Sequence, residues 1–357
     1  MKSRIGFIDI AKCIAILMIV DVHLQSGALF PLGETFHVAA FFVISGVISG
    51  FKDNFAKEEF SIFAKKRFKG LIYPYITLNI AYILFSLALS LLFTHKSILP
   101  NILKFVSVQG NGTLWFLPVL FIGEIIFFIL YKHLKSKGNV ASVLLLLLGV
   151  FGGAGLEKLN LIGRGIYGVG SLKGIFITGP ITILLSSLIA SGLIALGFIL
   201  SKLIKSLSVR NVKNIVVLSI VSVISFIVDR LFISLYTADI HKMAIGNPFI
   251  YIVCTLTGCT LCLSLALLLD FIPKTSGVLG FYGKNSIIIM TTHLEYYINY
   301  AVFIILSRFN ILNLEPDGIL FGIASLILIM AVETVIIFIV SKTPLRFLYK
   351  LPVKKEI

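Results

Sequence analysis

Lys12 and His23 stand eleven residues apart in the first apolar stretch of this 357-residue chain. At about 100° per residue that spacing is about three helical turns, so both project from one face, roughly 16 Å apart along the axis. Asp9, three residues before Lys12, joins the stripe as a third candidate catalytic group. A neutral histidine can take a proton from a hydroxyl at neutral pH. A cation roughly 16 Å away suits a donor that carries phosphates at one end and a reactive thioester at the other. The plainer reading makes Asp9 and Lys12 an interfacial ion pair with Lys12 snorkelling, and His23 a hydrogen-bonded packing residue. His37, near the start of the second apolar stretch, reaches a depth similar to His23 if the two stretches form a hairpin. Lys65, Lys66 and Arg67 follow in a basic loop that reads either as a solvated face or as a diphosphate site.

These groups need helices to hold them. Hydrophobic residues make up 58% of the chain and charged ones 13%, against about a quarter charged in an ordinary soluble domain. No soluble fold hides that much apolar surface, and barrel strands would alternate in a period of two. The pattern predicts an all-α polytopic bundle of about ten transmembrane helices, at 7–27, 34–51, 70–94, 113–134, 140–157, 175–201, 214–233, 247–269, 285–307 and 318–341. An even count puts both termini on one side, and the lysines and arginines assign that side to the cytoplasm. The net charge of +15 then reflects topology and anionic lipid rather than nucleic acid. The first stretch holds Asp9, Lys12, Asp21 and His23 and lacks a small-residue cleavage site, so it reads as a retained helix. Cys13, Cys254, Cys259 and Cys262 all fall in predicted spans, as packing residues rather than a disulfide framework. Residues 1–357 read as one domain without an appended soluble unit, multi-pass in the cell (inner, cytoplasmic) membrane. The oligomeric state, a homo-oligomer included, is left open.

Five short patterns carry a family resemblance: Arg4-x4-Asp9-x2-Lys12-x10-His23; Phe36-His37 with Phe41-Phe42-x2-Ser45-Gly46; Lys66-Arg67-x6-Pro74-Tyr75; Leu114-Trp115-Phe116-Leu117-Pro118; and Tyr282-Gly283-Lys284-Asn285-Ser286-x6-His293. In this order the chain resembles the acyltransferase family 3 membrane proteins, in particular the fucose 4-O-acetylase-like branch. It departs from them at Val38-Ala39-Ala40, where the family pattern has Met-Pro-Leu or similar. The resemblance implies O-acyl transfer, most often of acetyl, from cytoplasmic acyl-CoA to a sugar hydroxyl of a surface polysaccharide or its lipid-linked precursor. Acetyl-CoA is then a co-substrate, with no bound cofactor and no metal. His23 is the general base or a transiently acylated nucleophile, and Lys12, Lys66 and Arg67 hold the CoA phosphates. His37 and His293 are candidates for binding the acceptor or stabilising the oxyanion, and Trp115 and Asn285 are acceptor-binding candidates, Trp115 also fitting an interfacial belt.

Other signals are discounted. Gly163-x-Gly165-x2-Gly168 spells a dinucleotide pattern but follows no strand. His95, His133 and His241 fall near membrane edges and read as solvated. Glu124 and Glu333 are intramembrane carboxylates without an assigned partner. A transporter or exporter of a glycan or lipid-linked sugar is the rival reading, because buried His, Asp and Glu also mark substrate paths.

Overall fold

The computed structural model describes residues 5–30, 34–52, 55–162, 174–236, 238–308, 315–316 and 318–349. The Gly163–Gly168 pattern lies outside them. Among the described residues the fold is all-helical, with only an isolated bridge between Asp239 and Ala244 in extended backbone. Seven helices among the described residues are long and apolar enough to cross a membrane: Phe60–Phe93, Gly112–Leu134, Ser136–Lys158, Gly174–Leu207, Val212–Leu235, Pro248–Asp270 and Ile319–Lys342.

Helices α1 (Gly6–Val22) and α2 (His37–Gly50) open the chain. The second is shorter than its expected span, and α1 stops at His23. There Asp21 accepts the Leu29 and Phe30 amides at 3.0 and 2.9 Å, folding the following segment back across the helix end. Next, α3 (Phe60–Arg67) runs through a π-helical turn into α4 (Tyr73–Leu89). Pro74, in the first turn of α4, lacks the N–H that a regular ladder would use there. The short α5 (Leu99–Val106) and a 3-10 turn at Gly112–Trp115 lead into α6 (Phe116–Leu134). Then come α7 (Ser136–Lys158), α8 (Gly179–Leu207), α9 (Val212–Phe232) and α10 (Pro248–Asp270).

Helix α8 is the centre of the bundle, packed on α2, α6 and α7. Its crossing with α2 has small residues on both sides. A Cβ on Gly46 would overlap the Ile194 carbonyl, and one on Gly197 the Val43 carbonyl. Only glycine lets two backbones meet so closely. Ser45-Gly46 is thus a packing element, as its composition suggests. By contrast, the Phe60–Phe93 helix and α9 bury little of their surface and turn rows of large apolar side chains outward, as lipid-facing helices do.

The expected span 285–307 is not one helix. The chain forms α11 (Thr275–Lys284), α12 (Ser286–Thr292) and α13 (Ile298–Arg308) before the long α14 (Ile319–Lys342). Between α12 and α13 the backbone breaks at 293–297, with Tyr297 at φ +58°. Non-helical backbone survives at membrane depth only where it is buried in protein or lines a cavity. This break meets both conditions: the Asn299 amide bonds the His293 carbonyl at 3.3 Å, and the segment borders two cavities.

Candidate functional site

His23 terminates α1, so its carbonyl is one of the helix-end acceptors that lack an intrahelical donor. Asn299 supplies one through its side-chain amide at 2.8 Å, which ties α1 to the broken helix. The same break brings His293 to His23: Nδ1 of His23 lies 3.1 Å from Nε2 of His293, with ring centroids 5.2 Å apart.

With both rings neutral, the hydrogen bonds assign the protons. His293 Nδ1 is 2.7 Å from the Ile289 carbonyl oxygen. A carbonyl only accepts, so His293 Nδ1 carries the proton and its Nε2 holds a lone pair. Nε2 therefore accepts from His23, whose Nδ1 is the donor. A neutral His23 then has a bare Nε2, the form required of a proton acceptor. His23 borders a cavity of about 510 Å³ that His293 does not border. Of the His23 ring nitrogens Nδ1 is the one turned to His293, so in the neutral pair Nε2 is the one able to take a proton.

His37 and Trp115 line the same cavity, together with His241 and Lys242. Two expectations change here. Trp115 is only 6% exposed and lies flat on His241, with centroids 4.7 Å apart and planes 9° apart; it is not an exposed belt residue. His241, expected to be solvated, is turned inward by its loop. Asp239 accepts the His241 and Lys242 amides at 3.0 and 3.2 Å and pairs with the Lys242 ammonium at 3.4 Å. Glu157 of α7 then clamps the loop by accepting the Ile245 and Gly246 amides at 2.7 and 2.9 Å. Burial pushes the His241 imidazole down to about 3, so the stacked ring is neutral at neutral pH.

The remaining sequence candidates lie elsewhere. Asp9 is buried where Gly283 of α11 crosses α1, a contact that leaves no room for a Cβ. Lys12 is half-buried one turn further along α1, and Lys66 is exposed on α3. Neither borders the His23 cavity. Arg67 turns inward to pair with Glu124 at 3.0 Å and covers the Phe63 ring at 5.3 Å. Glu124 also accepts the Ser45 hydroxyl, so this carboxylate has two partners. Asn285 sits at the α11–α12 junction and donates to the Phe281 carbonyl at 2.8 Å, away from the cavity.

Three further carboxylates are buried in the bundle. Glu333 accepts the Thr292 hydroxyl at 2.7 Å. Glu295 accepts both the amide and the hydroxyl of Thr113. Asp229 of α9 takes the Thr257 hydroxyl at 2.5 Å and the Thr35 hydroxyl at 3.4 Å. Asp229 and Glu295 were legible by the same rule that picks out Glu124 and Glu333, an acid inside an apolar run. The inward turn of His241 is legible only in part, since beside the local Asp239 bonds its loop is held by Glu157 from a distant helix.

Set against known families, residues 5–338 match the model of an acyltransferase domain, acyltransferase family 3. The match spans every cavity residue named above. No curated protein and no solved structure matches the chain.

Proposed function

We propose a function from one premise: the chain belongs to the acyltransferase family whose domain it matches. The activity is membrane O-acyl transfer, with acetyl carried from cytoplasmic acetyl-CoA to a sugar hydroxyl of a surface polysaccharide or its lipid-linked precursor. His23 is the general base. The observation that supports this reading is the chain of hydrogen bonds from the Ile289 carbonyl through His293 to His23, which leaves an unprotonated ring nitrogen beside a cavity of ligand size.

In this reading His23 Nε2 takes the acceptor's hydroxyl proton as the oxygen attacks the thioester carbonyl carbon. The C–S bond then breaks, and the CoA sulfur leaves with the proton from His23. His293 holds the imidazole in the required tautomer and accepts from it while it is charged, the part a hydrogen-bonding third group plays in other base-assisted acyl transfers. His37, which lines the same cavity, donates to the developing oxyanion in this reading. Lys12 and Lys66 hold the CoA phosphates, assisted by those Arg67 N–H groups that Glu124 leaves free. The decisive experiment measures labelled acetyl transfer from acetyl-CoA to glycan in membranes, normalised to inserted protein. His23→Gln should lose about 10²–10⁴-fold, and near wild-type transfer would remove His23 from the chemistry.

A second reading, export of a glycan or lipid-linked sugar, draws on the broken α12–α13 helix with its buried Glu295 and on Glu333 of α14, which meets it at Thr292, since discontinuous helices and buried acids mark transport paths. Loss of glycan export in His23→Gln with glycan acylation intact would favour it.

A further inference from the structure

The loop that joins α9 to α10 is fixed to the bundle from two neighbouring helices. Ser186 of α8 donates to the Ile240 carbonyl at 3.0 Å. Met243 is fully buried, and its terminal methyl lies 2.7 Å from where a Cβ on Gly153 of α7 would stand. Glu157, one helical turn along α7, holds the Ile245 and Gly246 amides. Met243 itself adopts φ +53°, a left-handed conformation that a residue with a side chain keeps only where its surroundings enforce it. An ordinary connection needs no such anchoring, and the ring carried at its centre is His241.

His241 is half-buried and lines the cavity that His23 borders. One face of its imidazole is covered by Trp115 in the parallel stack, and Phe116 meets the indole edge-on at 6.3 Å. A ring locked by packing in this way does not swing aside for a ligand. The stack also decides which ring the cavity offers. Trp115 is almost covered, so the aromatic surface that a bound molecule meets here is the imidazole, not the indole. That matters for the reaction, because the hydroxyls of one sugar ring differ little as nucleophiles and an acyltransferase must choose among them by position. A misplacement of about 1 Å at the reacting atoms changes a rate by about 10²-fold. A rigid ring in the cavity that holds the base turns the shape of a sugar into such a displacement.

We propose that His241, held by Trp115 and by its anchored loop, selects which sugar hydroxyl is acylated: the acceptor's ring rests against the imidazole, and one hydroxyl then reaches His23. The inference rests on the acyltransferase reading. It is tested with the full-length protein in membranes, labelled acetyl-CoA and, as acceptor, the host cell's surface polysaccharide stripped of its esters by mild alkali. Products of short incubations, taken before acetyl groups migrate between neighbouring hydroxyls, are mapped by NMR. Wild-type protein should favour one position over the next by about tenfold or more. His241→Ala should lower that positional ratio about three- to tenfold, whereas His241→Phe, which keeps a flat ring on Trp115, should retain most of it. Glu157→Ala loosens the loop from outside the cavity and should lower the ratio in the same direction. The ratio is read on the product formed, so a variant that inserts poorly still answers. An unchanged ratio in His241→Ala overturns the selection at any rate of transfer, because a purely structural histidine lowers yield without moving the acetyl group. If His241→Ala does not insert, an unchanged ratio in Glu157→Ala overturns it instead. Inserted His241→Ala protein that forms no product also overturns it, since the ring then belongs to the chemistry and not to the choice of hydroxyl. Wild-type product spread evenly over several hydroxyls overturns the selection and leaves the acyltransferase reading standing. A wild-type protein that transfers no acetyl brings down both.

Discussion

At the scale of single residues, the orientation of His23 is set by a partner 270 positions away in sequence. His293→Leu removes the acceptor for His23 Nδ1–H and frees the ring to rotate or change tautomer. One or two hydrogen bonds' worth of orientation corresponds to a kcat loss of about 10–100-fold, with the KM for acetyl-CoA unchanged. His293→Gln offers an amide oxygen in place of Nε2 and should recover part of the loss. Wild-type kcat in His293→Leu would make the histidine pair a packing contact. A second expectation concerns pH. Burial lowers His241 from its ordinary 6.5 to about 3, with Asp239, Lys242, Lys104 and His23 as the charged or titratable groups acting on it. The folded protein therefore holds the neutral ring, and the unfolded chain takes up a proton first as pH falls. The stability this contributes is complete above about 6.5 and is lost progressively as pH drops towards 3. His241→Phe keeps a ring to stack on Trp115 and cannot titrate, so its Tm relative to wild type should rise on acidification from neutral pH to pH 4. A constant difference would show that the ring is not held neutral.

At the scale of elements, the sequence was informative wherever a helix carries its own signal, and silent where the signal belongs to a partner. The Lys12–His23 stripe follows from helical geometry alone. The break after Thr292 does not, because residues 285–307 read as one apolar run. What stabilises the break is contributed by other elements: Thr113 donates to Glu295, and the His23 carbonyl accepts from Asn299. The pairing of Arg67 with Glu124 was hidden for the same reason, since Arg67 had a local explanation as a basic loop residue and nothing near Glu124 in sequence names the partner that an intramembrane acid needs. The α2–α8 crossing gives the test at this scale. Gly46→Val would drive a branched side chain into the Ile194 carbonyl, and overpacking of this kind costs about 1–3 kcal/mol or more. Its folded yield and Tm in detergent should fall well below those of Val38→Ala, a volume loss at a half-buried site on the same helix. A Tm for Gly46→Val equal to wild type would mean the helices are not in backbone contact.

At the scale of the whole molecule, the placement of donor and acceptor depends on which end of the bundle faces the cytoplasm. The basic surface of α3 and the His23 cavity sit towards opposite ends of the bundle. In the proposed reaction, with α3 inside, CoA phosphates would meet Lys66 on the cytoplasmic side and the acyl group would travel inward along the Lys12 face to reach His23. Orientation can be read by labelling, because Cys13, Cys254, Cys259 and Cys262 are buried and free and give a low background. Gln25, two residues beyond His23, and Lys66 are both exposed. In intact cells a membrane-impermeant maleimide should label Gln25→Cys and spare Lys66→Cys, and opening the cells should make Lys66→Cys reactive. Labelling of Lys66→Cys from outside would reverse the bundle and remove Lys66 and Arg67 from any contact with cytoplasmic CoA. Kinetics give an independent check on the same assignment. Lys66→Ala should raise the KM for acetyl-CoA about three- to tenfold with kcat and Tm unchanged, since a phosphate contact far from the reacting carbon contributes uniform binding. Arg67→Ala should instead lower the folded yield, because it strands the buried Glu124 carboxylate, a loss of about 3–5 kcal/mol. Changing Glu124 to Gln in the same chain should restore much of that yield, an outcome expected of a buried ion pair and not of a residue that only binds CoA.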